Sequence, residues 1–278
     1  MAEPLRRPPE VNDDDFELED SPSGGFVHRW VEGPDGRSDL LELPLTPEYF
    51  LDPQVGDQMV QGFLHGTVVR RLAELVERRL LAGGRTAILS DTKLLWDKPG
   101  LKEPAPDVAV VFGVEEPEGR LRETFRIAEE GVRPCLVIEV VSPKDPRIAR
   151  KDRVDKVEIY RRAAIAEYLL LELPHKRSRQ RFEWKGYRLD RAGRYRPIEP
   201  DPHGRLVSEA TGLSFGVTPD GQWFEVFVQQ TGERLLSSAE LEAARQAEAE
   251  ARQAEAKARQ AAEAEVARLK AELARLKA

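Results

Sequence analysis

Two acidic residues lie in segments of the sequence that are otherwise apolar. Asp107 stands directly before the run VAVVF, and Glu139 lies inside the run LVIEVV. An ionised carboxylate in such surroundings is costly unless a cation, a metal or hydrogen-bond donors compensate its charge. A pair of carboxylates in one sheet suits Mg²⁺, whose other sites go to water and substrate phosphate. The pattern predicts a metal site at Asp107 and Glu139, whereas either acid alone is more simply a strand cap or an ion pair.

A lysine follows these acids on the next predicted helix. Lys156 comes one helical turn after Asp152 and one turn before Tyr160. This spacing predicts that it lies at the border of the helix's buried face, from which it reaches back towards the strand of Glu139. There it compensates the charge of Glu139 or positions an attacking water. An ordinary ion pair with Asp152 is the simpler alternative.

The order of predicted elements is a helix, three strands, a helix and a strand, which is typical of a mixed α/β domain around a central sheet. Apolar residues at helical spacing predict that the first helix begins near Val55 and ends at Gly83. Strands are predicted at 86–96, 106–112, 136–141 and 167–173, and the second helix at about 145–163.

Four regions are expected along the chain. Residues 1–38 are acidic and rich in Pro and Gly, which predicts disorder. Residues 39–176 form the α/β core, residues 177–236 form a β-rich extension of the same domain, and residues 237–278 form one helix. This helix repeats ARQAEAE with a seam of alanines that becomes Leu-rich at its end, which predicts a coiled coil and a homo-oligomer. A single charged helix supported by i,i+4 ion pairs is the alternative.

Charge is distributed unevenly over the 278 residues, whose formal net charge is -7. Residues 1–25 are acidic, whereas residues 144–162 and 176–196 are basic. A basic middle region is compatible with a nucleic acid partner, although a solvated charged surface produces the same pattern. The one cysteine, Cys135, and four scattered histidines make no zinc-ligand pattern. No signal core or membrane-length apolar run is found, so we expect a cytoplasmic protein without a membrane partner.

These motifs resemble the Uma-type family of proposed restriction endonucleases. The shared residues are PAPDVAVV, LVIEVVSP, the pattern D-x-x-x-K-x-x-x-Y that ends at Tyr160, and the following AEYLLLE. Three further segments, GYRLDRAGRYRPIEP, GRLVSEATGLSF and TGERLLSSAE, are similar to longer bacterial members of the family. The resemblance therefore covers residues from about 45 to 240.

The resemblance implies the PD-(D/E)xK nuclease fold, with a restriction-endonuclease-like core, a mixed central sheet flanked by helices, a β-rich extension and a long C-terminal helix. It implies hydrolysis of DNA phosphodiester bonds, with Asp107 and Glu139 as ligands of Mg²⁺ or Mn²⁺ and Lys156 as the charge-stabilising catalytic lysine. The sequence has Val141 where the general nuclease pattern has a lysine. A catalytically degenerate nucleic-acid-binding or oligomeric assembly module is therefore the alternative.

Asp91, in the strand predicted at 86–96, is a secondary candidate for an additional acid at the site. His65, on the first predicted helix, is expected to be structural rather than catalytic.

Overall fold

The computed structural model of the chain describes residues 26–32, 38–44, 58–59, 63–115, 124–142, 149–174 and 181–276. These ranges contain a mixed α/β fold around a central sheet, followed by one long C-terminal helix. This architecture confirms the fold class that the order of predicted elements indicated.

The first half contains β1 (Phe26–Glu32), β2 (Ser38–Pro44), β3 (Gln58–Met59), α1 (Phe63–Leu80), β4 (Thr86–Leu89), β5 (Lys93–Leu95), β6 (Val108–Phe112), β7 (Thr124–Arg126), α2 (Ile127–Glu130) and β8 (Leu136–Val141). A single π-helical turn, Lys151–Asp155, then leads into α3 (Lys156–Arg162). The second half contains β9 (Glu167–Glu172), β10 (Glu183–Leu189), β11 (Tyr195–Pro197), β12 (Leu206–Ser208), β13 (Leu213–Val217), β14 (Phe224–Val228) and α4 (Ser238–Leu276).

The central sheet has six strands in the order β11-β10-β9-β8-β6-β4. Strands β8 and β9 are parallel, and every other neighbouring pair is antiparallel. A parallel pair needs a crossover connection, which α3 and its preceding turn provide here. Every residue of β8 and of β9 is buried, as expected for strands that are covered on both faces.

Each face of the central sheet has its own apolar core. On one face, α1 and the antiparallel sheet β12-β13-β14 cover side chains such as Ile138 and Leu169. On the other face, α3 and the β5-β7 pair cover Val137, Val141 and Leu170. Because side chains alternate along a strand, Glu139 projects to the same face as Val137 and Val141, as the sequence predicted.

Several predicted elements differ from the observed ones. The strand predicted at 86–96 is two strands, because Asp91 adopts a left-handed backbone with φ of 49° that interrupts the extended chain. Residues 1–38 were predicted to be mostly disordered; within them Phe26–Glu32 form β1, and residues 1–25 and 33–37 lie outside the described residues. The start of the first helix, predicted near Val55, also lies outside them, and α1 is described from Phe63.

Helix α4 runs without interruption for 39 residues, about 58 Å at 1.5 Å per residue. Its first turn is closed by a capping box, in which the Ser237 N–H donates to Glu240 and the Glu240 N–H donates to Ser237. Glu74 and Arg71 of α1 contact Ser238 and Glu240, so the start of α4 is joined to the core. None of the helices within the described ranges is both long and apolar enough to cross a membrane.

Gly186 of β10 provides a test of this packing. A Cβ atom at this position would overlap the Cδ2 methyl group of Leu169. It would also lie 3.2 Å from Leu206 and 3.3 Å from Ile198. Gly186→Ala is therefore expected to lower the free energy of unfolding by about 1–3 kcal/mol through overpacking, measured by urea denaturation. Gly83→Ala is the control, because a Cβ there meets nothing within 4 Å. Equal stability of the two variants would contradict the described packing around β10.

Candidate functional site

The candidate site lies at one end of β8, where charged side chains from separate segments meet. Strands β6 and β8 pair in antiparallel register with Val108 opposite Ile138, so the next position places Asp107 beside Glu139. Asp107 precedes the first residue of β6, whereas Glu139 lies within β8. The crossover from β8 to β9 then brings Asp152 and Lys156 over the same face. Topology therefore assembles a group that is spread over 50 residues of sequence.

Lys156 joins two of the carboxylates. Its Nζ lies 2.9 Å from Oε1 of Glu139 and 2.9 Å from Oδ1 of Asp152. Tyr160, one turn further along α3, donates its hydroxyl to the same Glu139 oxygen at 2.7 Å. Lys156 is only 3% exposed and so lies deeper than the predicted border of the buried face, while its predicted approach to the strand of Glu139 is confirmed. The π-helical turn before α3 accounts for the difference, because its extra residue rotates Lys156 further towards the sheet.

Asp107 is held by donors from β8 and α1. Its Oδ2 accepts the backbone N–H of Val140 at 2.7 Å and lies 3.3 Å from Nε2 of His65. Burial by itself raises the pKa of Asp107, but the nearby His65 and Lys156 charges and the hydrogen bonds lower it overall. Burial likewise lowers the pKa of His65, but the charge of Asp107 and its hydrogen bond raise it overall. Asp107 and His65 therefore form a buried ion pair when the histidine is protonated.

The charges of this group do not balance when every member is ionised. Burial raises the pKa of Glu139 to about 8, because the charges of Asp107 and Asp152 oppose the favourable effect of Lys156. Burial also raises the pKa of Asp152. The pKa of Lys156 is lowered by burial but raised overall by Asp152, Glu139 and Asp107. If all three carboxylates are ionised, they outnumber the lysine and the protonated histidine. The raised pKa leaves Glu139 largely protonated at pH 7, and an additional cation would favour its ionised form.

The donor set fits a metal ion that keeps much of its water. Among the residues that the structure describes, no three His, Cys, Asp or Glu side chains form a metal-binding cluster. Lys156 separates Glu139 from Asp152, and His65 is directed at Asp107. Oδ1 of Asp107 and Oε2 of Glu139 are the oxygens not used in the bonds described above. Two carboxylate oxygens with water and substrate in the remaining positions are a typical Mg²⁺ arrangement.

All three residues predicted for the site, Asp107, Glu139 and Lys156, therefore lie within one connected group. Their catalytic and metal-binding roles stay predictions. His65 was expected to be structural and was not included, yet it contacts Asp107 directly. The sequence signal for this contact was a histidine at the start of a helix that covers the predicted sheet. Such a histidine does not by itself indicate that Asp107 is its partner. Asp91, the secondary candidate, contributes to raising the pKa of His65.

The fold and this group define a mixed α/β protein with a buried, acid-rich charged centre at the end of a sheet. The sequence matches the family model described as "Uma2: Putative restriction endonuclease" over residues 38–220. The chain therefore belongs to the Uma2 family, which confirms the resemblance carried by the motifs. Membership of this family supports a nuclease activity.

A crystal structure described as a putative nuclease belonging to DUF820 from Anabaena variabilis ATCC 29413 is similar to this chain, at 13% identity and a TM-score of 0.40. The alignment covers 60% of this chain and 92% of that one. No curated protein sequence matches this chain significantly.

The stability of the fold should depend on Lys156. We expect Lys156→Met to lower the free energy of unfolding by about 3 kcal/mol, because Glu139 and Asp152 then lack their buried cation. Urea denaturation at pH 7 measures the change. Combining the substitution with Glu139→Gln should restore part of the loss, since one buried charge is removed. Arg252→Ala, which breaks an exposed i,i+4 pair with Glu248, should change the stability by less than about 0.5 kcal/mol. A similar small effect at Lys156 would contradict the buried ion pair.

Proposed function

We propose that this protein is a cytoplasmic endonuclease of the PD-(D/E)xK type that hydrolyses DNA phosphodiester bonds with Mg²⁺ or Mn²⁺. One observation carries the proposal. The Lys156 ammonium lies 2.9 Å from Glu139, on the face of β8 where the side chain of position 141 is a valine. In the general nuclease pattern, the lysine follows this acid on the same strand. Here the lysine beside the acid comes from α3.

Asp107 and Glu139 are the residues that would hold the metal ion. When bound, a divalent ion polarises the scissile phosphate and lowers the pKa of a bound water. Tyr160 orients Glu139 by donating to its Oε1. Burial, followed by the charge of Glu139, raises the pKa of the Tyr160 hydroxyl well above its usual value, so the hydroxyl remains a hydrogen-bond donor. His65 and the Val140 N–H orient Asp107 in the same way.

Lys156 acts as a fixed positive charge rather than as a base. Its pKa lies above the ordinary value, because the surrounding carboxylates outweigh the effect of burial, and the side chain therefore stays protonated. A buried ammonium stabilises the negative charge that develops on the phosphate in the transition state. It is worth more there than in water, since the low dielectric of the site strengthens the interaction.

Nucleic acid is proposed as the substrate because basic side chains accompany the site. Arg150, just before the π-helical turn, and Arg162, at the end of α3, are both exposed. Such residues bind phosphates without sequence preference and make binding weaken with salt. The charge pattern of the sequence and the family description point to the same partner.

Cleavage of DNA tests the proposal. Purified protein with Mg²⁺ or Mn²⁺ is expected to cut plasmid DNA, measured as conversion of the supercoiled form on gels. Asp107→Asn, Glu139→Gln and Lys156→Met should each reduce the rate by about 100-fold or more, because each removes a charge from the reaction centre. Glu248→Gln, on the exposed surface of α4, is the matched control and should leave the rate unchanged.

Metal binding has a readout that does not need cleavage. Mg²⁺ should raise the melting temperature of the wild-type protein, because a ligand that binds the folded state stabilises it. The shift should disappear in Glu139→Gln. Cleavage that persists in this variant would refute the assigned site. Binding of DNA without metal-dependent cleavage would instead favour the alternative of a catalytically degenerate binding module.

The C-terminal helix is proposed to pair with a second copy of the chain. Val266 and Leu269 lie at successive positions of the predicted seam and are 49% and 52% exposed, so their apolar surface is not covered by the described core. Leucines follow at 273 and 276 in the sequence and continue the same spacing. Pairing through this segment would cover the exposed apolar surface.

Removal of this helix should lower the oligomeric state. A chain that ends at Ala244 retains the contacts of Ser238 and Glu240 with α1, so the core is left intact. Sedimentation equilibrium is expected to give fewer chains per particle, the measured mass divided by the mass of one chain, for this truncated protein. The same decrease is expected for the full-length double variant Val266→Glu/Leu269→Glu. The full-length Arg252→Ala protein should keep the wild-type mass. A number of chains per particle that is unchanged by both modifications would exclude the coiled coil.

A further inference from the structure

A further buried carboxylate lies on the same face of the central sheet as Glu139. Glu172 is the last residue of β9, is 1% exposed, and stands beside Val141 in the parallel register. Arg153 binds it through two nitrogens, with Nε donating to Oε1 at 2.7 Å and Nη2 donating to Oε2. A bidentate pair of this kind fixes the orientation of both partners. Lys185 lies further off, with its Nζ 3.6 Å from Oε1.

Arg153 belongs to the π-helical turn that sets the orientation of Lys156. In this turn the Lys156 N–H donates to the carbonyl of Lys151, five residues earlier. An α-helix turns by roughly 100° per residue, so the residue gained in this turn changes the direction of every following side chain by about that angle. The contact of Lys156 with Glu139 therefore requires the turn to keep this form.

Strand β9 holds the turn at two points. Glu172 binds Arg153, and the Tyr168 hydroxyl donates to the carbonyl of Asp152 at 2.8 Å. Glu172 and Tyr168 are fixed in the sheet, and both are buried. The main chain around residues 152 and 153 is thus tied to β9, while Lys156 reaches β8. The position of Lys156, which lies on a helix, is therefore set by contacts with the sheet.

We infer that Arg153 and Glu172 are positioning residues for Lys156. Their ion pair keeps the π-helical turn in register with the sheet and so holds the Lys156 ammonium at Glu139. The inference rests on the proposed function, since it explains how a lysine supplied from α3 is kept in place for the reaction. Neither residue needs to touch the substrate.

The chain contains a matched control pair on the same strand. At the start of β9, Glu167 is 1% exposed, and Arg188 donates to it from Nε at 2.8 Å. The side chain of Arg188 is 30% exposed and that of Arg153 is 38% exposed, so the two arginines are similarly accessible to solvent. Arg188 also contacts Glu209 and is not part of the segment that bears Lys156. Loss of either pair removes an arginine from a buried glutamate, but only one pair is joined to the π-helical turn.

The first test compares Arg153→Ala with Arg188→Ala by amine acylation. Each protein is treated with the N-hydroxysuccinimide ester of acetic acid, and modification of Lys156 is quantified by peptide mass spectrometry. Lys156 is 3% exposed, so wild-type labelling should be slow. We expect labelling of Lys156 to rise about tenfold in Arg153→Ala, because the turn opens locally, and to stay at the wild-type level in Arg188→Ala. This measurement needs neither metal nor DNA.

The second test is kinetic. In Arg153→Ala, kcat for DNA cleavage should fall by about 100-fold while KM is unchanged, because the lysine is displaced from the reaction centre. Guanidinium chloride at millimolar concentration should restore part of the rate in this variant, and equal sodium chloride should not. Arg188→Ala should keep the wild-type kcat. Glu172→Gln, which removes the other partner, should behave like Arg153→Ala.

Three outcomes would overturn the inference. These are equal labelling of Lys156 in the two arginine variants, equal kcat in both, and a rise in KM at constant kcat, which would make Arg153 a substrate contact. Arg153→Ala should still fold, because Lys185 remains 3.6 Å from Glu172. If the wild-type protein does not cleave DNA, the proposed function fails, while the labelling experiment still decides whether Arg153 positions Lys156.

Discussion

The buried ammonium of Lys156 is the interaction on which this end of the molecule depends. Glu139 and Asp152 lie in a region that is closed to solvent, and the lysine provides their shared cation. Removing one partner of such a group leaves an uncompensated charge, which is far more costly than never having buried the group. An apolar core would be cheaper at this position. Three carboxylates beside one lysine and one histidine leave room for a further positive charge, which the proposed metal ion would supply.

The surrounding fold supplies each member of this group from a different direction. Strands β6 and β8 bring Asp107 beside Glu139, the crossover brings Asp152 and Lys156, and α1 brings His65. The Tyr160 hydroxyl donates to Glu139 and the Val140 N–H donates to Asp107, and these hydrogen bonds orient the two acids. Buried polar groups in proteins are almost always paired in this way. The site is thus held by the same hydrogen bonds that join the sheet to its helices.

Much of this arrangement could be predicted from the sequence. Period-two and apolar patterns located β6, β8 and β9, and the same patterns placed Glu139 on the face of Val137. The depth of Lys156 could not be predicted, because periodicity assumes a regular α-helix and one π-helical turn changes the direction of the side chain. The contact of His65 with Asp107 was not predicted, because it is made between segments 42 residues apart. The break at Asp91 depends on a single left-handed residue, for which aspartate is only weakly diagnostic.

Lys156 and Glu139 belong to different elements of the fold, which affects how the charged centre comes apart on heating. Glu139 belongs to the middle of a six-stranded sheet, whereas Lys156 begins a helix of seven residues. Short peripheral elements exchange their amide hydrogens through local opening long before the central strands do. The charged centre can therefore come apart while the sheet is intact. A sample of this protein can be fully folded by far-ultraviolet circular dichroism and still lack an assembled centre.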